Sequence, residues 1–282
     1  MKYNPSNLVI DIPALACLPE ILGELNSALS NPSSTMADFG EIIENDSSLT
    51  ARILKVANSS FFGFPSKIET IPQAITLIGT QEVRDLVFAT KVIRTFPGVP
   101  EDLVDMKSFW EHSLACGLAA KVLAIQKRMP YPEQFFVAGL LHDIGRLILF
   151  LKIPEASREV LAFCCEHEMP LLDGERKLLG FDHADVGGEL MKLWQIPTPI
   201  FYGVRYHHQP MSADIYPVEA AIIHVADIIV HAMEIGTSGT RRVPPLKKQA
   251  WTRVGIQPSS LEPCMDQIDR EFVDVVKMFL HD

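Results

Sequence analysis

The sequence predicts an all-α protein. Three observations carry that expectation. Apolar residues recur at helical spacing along almost the whole chain, no segment alternates as a half-buried strand does, and proline repeatedly opens an apolar run, a first-turn position that suits its fixed φ and missing N–H. With 282 residues, 48% hydrophobic and 21% charged, the composition is globular and leaves room for one large domain or two ordinary ones.

The elements follow in order. "PEILGELNSAL" (19–29) sets Ile21, Leu22, Leu25 and Leu29 on one stripe. "MADFGEIIEND" (36–46) comes next, and then "SSLTARILKVANSS" (47–60), with Leu49, Ile53, Leu54 and Ala57 on a face and Ser47 as the expected N-cap. In "ANSSFFGFP", Asn58, Ser59 and Ser60 read as a helix terminus, with Phe61, Phe62 and Phe64 covering core. Two short helices, 71–79 and 80–96, are separated at Gly79. "PGVPEDLVD" (97–105) then marks a boundary. Beyond it, 106–126 is a strong helix, and 132–143 and 144–153 form a pair hinged near Gly145. Further helices are expected at 154–169, 170–180, 182–195, 197–209 and 217–236. Residues 236–264 read as loop, and "MDQIDREFVDVVKMFL" (265–280) as a terminal helix.

Charge narrows the function classes. With 25 Lys+Arg against 35 Asp+Glu, the net charge of −10 supplies no bulk field for a phosphate backbone. The basic stretch "RRVPPLKK" (241–248) is short, holds two prolines and reads as an exposed loop, so nucleic acid is not an expected partner. The five cysteines (Cys17, Cys116, Cys164, Cys165, Cys264) include no CxxC pair, and three sit in apolar helical patterns, as buried thiols of a reducing cytoplasm do. The N-terminus lacks the apolar stretch of a signal peptide, and no run of about 18 apolar residues predicts a membrane span. The leader before residue 12 is too short for a fused receiver or cyclase domain.

Ionisable residues nevertheless recur within the apolar helices. They are His112 in "FWEHSLA", His142 and Asp143 in "LLHDIG", His183 in "GFDHADVG", His207 and His208 in "RYHHQP", and Asp227 in "IIHVADII". Buried ionisable groups are costly unless paired or metal-bound, and helical bundles build metal sites from inward-facing ligands on several helices. No Cys shares the pattern, so a mixed N/O shell for a divalent metal is expected. Neighbours on a helix point about 100° apart, so His142 and Asp143 reach one ion only near a bend, for which Gly145 is the candidate. Asp143 could also bridge two ions. A metal-free, internally hydrogen-bonded cluster is the alternative. Asp182 or His183 could simply cap a helix, His207–His208 could be an exposed helix end, and His224 and His231, flanking Asp227, read as packed or surface residues.

The pattern resembles the H…HD…D signature of the HD superfamily of metal-dependent phosphohydrolases, in His112, His142–Asp143 and Asp227. "IIENDSSLTARILKVANSSFFGFPSKIETIPQAITLIG", "FWEHSLACGLAA", "AGLLHDIGRL" and "FDHADVGGELMKLWQIP" resemble more closely its signalling branch, the HDOD family, over residues 12–235. The resemblance implies an N-terminal helical bundle (12–97) packed on an HD-type helical bundle (98–235), followed by loop and C-terminal helix (236–282). It implies a bacterial cytosolic regulatory module, whose partner is a nucleotide or a signalling protein. It also implies a divalent ion (Fe, Mn, Ni or Zn, or else Mg), one or two per chain. His183, His207 and His208 match extra ligands of the related HD-GYP cyclic-dinucleotide phosphodiesterases. Three features depart from that enzyme branch: Arg146 stands where a phosphate-binding lysine is usual, Ser108 where a Glu ligand is, and the GYP element is missing. Arg146 and Arg205 are the candidate phosphate contacts. The other function the resemblance allows is an active phosphohydrolase, with Asp143 bridging the ions and Arg146 stabilising charge on the phosphate.

Overall fold

The computed structural model describes residues 3–10, 18–59, 61–96, 98–239 and 242–280; Cys17, Ser60, Arg241 and the Leu22 side chain of the sequence reading lie outside that description. Among the described residues every regular element is a helix. The chain divides into two compact units, Ile12–Pro97 with Arg270–Asp282, and Met1–Asp11 with Gly98–Asp269. Residues 236–282, expected as a separate terminal segment, are thus divided between the two.

After a one-turn helix α1 (Pro5–Leu8), the smaller unit carries α2 (Leu18–Ser30), α3 (Met36–Glu44), α4 (Ser47–Ala57), α5 (Ile71–Ile78) and α6 (Thr80–Val92). Asp46, not Ser47, caps α4. Its Oδ1 accepts the Leu49 N–H at 3.0 Å while its Oδ2 pairs with Lys91 at 2.5 Å. A carboxylate satisfies both demands at once and a serine hydroxyl satisfies only the first. Asn58 ends α4 and latches it to Ile68, donating to the Ile68 carbonyl and accepting its N–H, both at 2.7 Å. Phe64 packs on the core cluster Ala57, Ile68 and Ala74, and Phe61 is buried, so this motif is structural.

The larger unit is built from α7 (Met106–Gln126), α8 (Pro132–Leu141), α9 (Ile144–Lys152), α10 (Pro154–Glu166), α11 (Leu171–Leu179), α12 (His183–Leu193), α13 (Thr198–Tyr206), α14 (Pro217–Ala232) and α15 (Lys248–Val254). The terminal helix α16 (Leu261–Phe279) begins here, so the stretch 236–264 read as loop contains α15 and the first turn of α16. α7 packs on α8 and α14, and α9 on α12. Contact between α7 and α8 is close enough that a Cβ on Gly139 would lie 2.6 Å from the Cys116 carbonyl oxygen.

Pro132–Lys152 is the one stretch, among the described residues, with the length and mean hydropathy (1.5) of a membrane span, where the sequence reading expected none. In the fold 89% of that window is buried inside the protein, as in a core helix pair. Helix breaks there at His142–Asp143 rather than at Gly145. Gly145 serves packing instead: a Cβ there would strike the His183 carbonyl at the start of α12.

Candidate metal centre

Five segments of the larger unit deliver the ionisable residues to one place. His112 lies in the second turn of α7, His142 and Asp143 occupy the α8–α9 break, and His183 begins α12. His207 and His208 follow the end of α13, and Asp227 lies in mid-α14. All seven are buried. The break matters because Asp143 leaves helical backbone geometry directly after His142 closes α8, and both side chains are buried there.

Two groups of donor atoms result, each with all its atoms within 4.8 Å of one another: His112, Cys116, His142 and Asp227, and Asp143, His183, His207 and His208. In the first, Asp227 Oδ1 is 3.3 Å from His112 Nε2 and 3.5 Å from His142 Nε2. In the second, Asp143 Oδ1 is 3.0 Å from His183 Nε2 and 3.8 Å from His207 Nε2. Asp143 Oδ2 also lies 3.3 Å from His142 Nε2, which joins the groups.

Most of the imidazoles are held by the other nitrogen. Nδ1 of His142 meets the Gly139 carbonyl at 2.7 Å, Nδ1 of His207 the Val204 carbonyl at 2.7 Å, and Nδ1 of His112 the Ile235 carbonyl at 3.4 Å. His183 Nδ1 meets the buried Glu175 carboxylate at 2.6 Å. Each anchor turns Nε2 toward the cluster, the arrangement that metal-ligating histidines need. His142 Nε2, His207 Nε2, both Asp143 oxygens and Asp227 Oδ1 are buried without a hydrogen-bond partner. A native interior rarely leaves so many polar atoms unsatisfied in one spot. The donor set therefore fits a divalent metal.

The electrostatics point the same way. Burial disfavours the His142 imidazolium, but Asp143 and Asp227 outweigh it and raise its pKa to about 10. His183 is likewise raised to about 9 against burial, chiefly by Glu175 and Asp143. Burial, His142 and His183 push His207 down to about 3. Burial opposes ionisation of Asp143 too, yet Arg146, His142 and His183 hold it well below the usual carboxylate range. Without an ion, protonated His142 and His183 and the Arg146 guanidinium balance the two carboxylates, so an incoming ion must displace imidazole protons.

Arg146 is buried against the second group, with Nη1 3.1 Å from Asp143 Oδ2 and Nη2 3.4 Å from His183 Nε2, and it donates to Ser238. It also lines a cavity of about 160 Å³, together with Arg176, Arg242, Lys247, His208 and Gln209. Among the described residues, no member of the first group lines that cavity.

The structure corrects some of the expected placements and decides between the alternatives left open for others. Arg205 is turned away: it pairs with Asp185 and lies over the Tyr206 ring, because Gly188 leaves its stem room along α12. Arg176, Arg242 and Lys247, not Arg205, line the cavity that Arg146 also lines. His207–His208 is a buried helix end, not an exposed one. Asp182 is the N-cap of α12, in a capping box with Asp185, which frees His183 for the cluster. His224 is a strut: Nδ1 meets the His207 carbonyl at 2.8 Å and Nε2 accepts the Lys247 N–H at 3.0 Å. His231 packs into the centre, its Nδ1 2.9 Å from Asp227 Oδ1. Cys116, excluded by the sequence reading, belongs to the first group. Its signal was its position four residues after His112, on the same face of α7. Glu175 had no such signal, since only the fold brings α11 to His183.

The family model for the HDOD domain matches residues 15–210. A curated relative, an uncharacterized protein of Treponema pallidum (strain Nichols), is 24% identical over 238 residues; the match covers 83% of this chain and 45% of that protein, so the chain spans about half the length of that relative. A candidate phosphohydrolase from Shewanella amazonensis SB2B has a similar structure, with TM-score 0.73 and 24% identity over 95% of this chain and 98% of its own. An HDOD domain protein from Geobacter sulfurreducens gives TM-score 0.71 and 24% identity over 93% and 92%. At such identities these likenesses speak for the fold.

Proposed function

The chain belongs to the HDOD family, and from that premise we propose that it is a cytosolic regulatory module that holds one divalent transition-metal ion and binds a phosphate-bearing nucleotide beside it. One observation carries the reading: the donors of the first group and the basic cavity are different places. The ion's donors are His112, His142 and Asp227, whereas the cavity wall holds Arg146, Arg176, Arg242 and Lys247. A phosphorylated ligand in that cavity meets these four cations against one carboxylate, Asp173, and none of the ion's donors.

Arg146 also argues for one ion rather than two. A guanidinium 3.1 Å from Asp143 and 3.4 Å from His183 already supplies positive charge to the second group. A second dication there would face a fixed, buried like charge, and such repulsion is strong at low dielectric. The module reads out its ligand to a signalling-protein partner; the acidic balance of the chain disfavours nucleic acid in that role.

One observation favours the phosphohydrolase reading instead. Asp143 contacts both groups, through Oδ2 to His142 and Oδ1 to His183, as a carboxylate shared by two ions would. Bound metal would supply an activated water and polarise the phosphoryl oxygen. In that case Arg146 would steady charge developing on the phosphate.

The test is elemental analysis of protein purified without chelator, followed by calorimetry and product analysis with nucleotides and cyclic dinucleotides. The module reading expects one ion per chain, saturable binding and no product, with binding weakened by Arg242→Ala/Lys247→Ala. Turnover that Asp143→Ala abolishes in a folded chain would replace it with the hydrolase reading.

A further inference from the structure

We propose that Cys116 is a ligand of the ion held by the first group, making it a sulfur-containing site that selects Zn²⁺-class borderline ions over Mg²⁺ and Mn²⁺. The inference rests on reading the cluster as a metal centre and adds to it the identity of the fourth donor.

Three of the six donor–donor distances match those of a tetrahedral set, and the rest lie within reach of one ion. Ligand bonds of roughly 2.0–2.2 Å for nitrogen and oxygen and 2.3 Å for sulfur place neighbouring donors of a tetrahedral ion roughly 3.3–3.6 Å apart. Cys116 Sγ is 3.5 Å from His112 Nε2, His112 Nε2 is 3.3 Å from Asp227 Oδ1, and His142 Nε2 is 3.5 Å from the same oxygen. All four donor atoms lie within 4.8 Å of one another. Four donors from α7, the α8–α9 break and α14 thus lie close enough together to share one ion.

The cysteine does not stand alone in this argument. His142 Nε2 and Asp227 Oδ1 lie 3.5 Å apart, both buried and neither in a well-formed hydrogen bond. His142 has no freedom to turn away, since it is pinned through Nδ1 to Gly139, and Gly139 is pressed on the Cys116 carbonyl itself. The contact that brings α8 against α7 therefore sets both His142 and Cys116. The Cys116 side chain is fully buried, so no bulk reagent or water competes for its sulfur.

Ligation breaks the S–H bond and forms a sulfur–metal bond, and the proton leaves to solvent; nothing is oxidised or reduced. A thiolate among imidazoles and one carboxylate favours Zn²⁺, Fe²⁺ or Co²⁺, whereas Mg²⁺ and Mn²⁺ prefer all-oxygen shells. The preference then belongs to this chain's own fourth residue, not to the His and Asp residues around it.

Cobalt is the probe. The full chain is titrated with Co²⁺ and its absorption recorded, alongside Cys116→Ser and Asp227→Asn, each checked for helicity by circular dichroism. The expected result is a near-ultraviolet sulfur-to-cobalt band that saturates at one ion in the wild type and is lost in Cys116→Ser. Zinc-edge X-ray absorption on the unaltered chain supplies a second measurement that needs no variant, with one sulfur expected at about 2.3 Å. Cobalt bound without that band, a band surviving in Cys116→Ser, or a zinc shell without sulfur overturns Cys116 ligation while leaving the metal centre standing. A wild type that binds neither ion overturns the metal reading and this inference with it.

Discussion

Asp227 is the residue on which the first group turns, because one carboxylate oxygen faces three imidazoles, those of His112, His142 and His231. Asp227→Asn keeps the shape and removes the charge. The expected outcome is loss of the bound ion with the helical circular-dichroism signal unchanged, checked by elemental analysis of the purified variant. His142 makes a further prediction. With its pKa raised to about 10 by Asp143 and Asp227, against burial, the ring carries a proton at neutral pH that an ion must displace. Below that pKa, apparent metal affinity should rise by about tenfold per pH unit for each proton released and fall as the solution is acidified. Affinity titrations at several pH values in weakly binding buffers check the slope; a flat profile would mean that His142 is not displaced.

Elements translate these residues into position, and two of their junctions are open to test. The α7–α8 contact has no room for a side chain at Gly139, since a Cβ would lie 2.6 Å from the Cys116 carbonyl. Gly139→Ala should destabilise the chain by about 1–3 kcal/mol through overpacking, measured by urea unfolding, and should weaken metal binding by shifting His142. In the smaller unit, Asp46 caps α4 and pairs with Lys91. The Lys91 and Leu49 hydrogen bonds pull its carboxyl below the ordinary value of 3.8. A depressed folded-state value means that its stabilisation is present at neutral pH and is lost as pH falls from about 4 through the lowered value. Asp46→Ala should cost about 1 kcal/mol near pH 7 through loss of the cap, with little added for the half-exposed ion pair. That difference should vanish at low pH, which denaturant midpoints for both proteins would show.

At the scale of the molecule, an ion that binds only the folded chain stabilises it by mass action. At free ion a hundredfold above the dissociation constant the gain is about 2.7 kcal/mol, or roughly 5–10 °C in the thermal midpoint of a unit this size. A thermal scan with and without chelator measures this, and hydrogen exchange should slow most in α7, α8 and α14, which hold the donors. An unchanged midpoint on adding Zn²⁺, Fe²⁺ or Co²⁺ would count against the metal centre.

The sequence by itself determined the all-α class and the family, because helical periodicity, proline-opened helices and the motifs around His142–Asp143 are local and survive in a linear reading. It also brought His112, His142, Asp143, His183, His207, His208 and Asp227 onto one short roster of suspects, since ionisable groups inside apolar helices are costly and so conspicuous. Only the tertiary structure decided how those residues divide into two groups, that Cys116 joins one of them, and that Arg146 and Glu175 serve the other. It alone turned Arg205 to Asp185 and assembled the basic cavity from α9, α11 and the segment before α15. The reason is physical. A pattern along one helix reports which face is buried, whereas the partner across that face is set by interhelical approach, down to the missing side chains of Gly139 and Gly145.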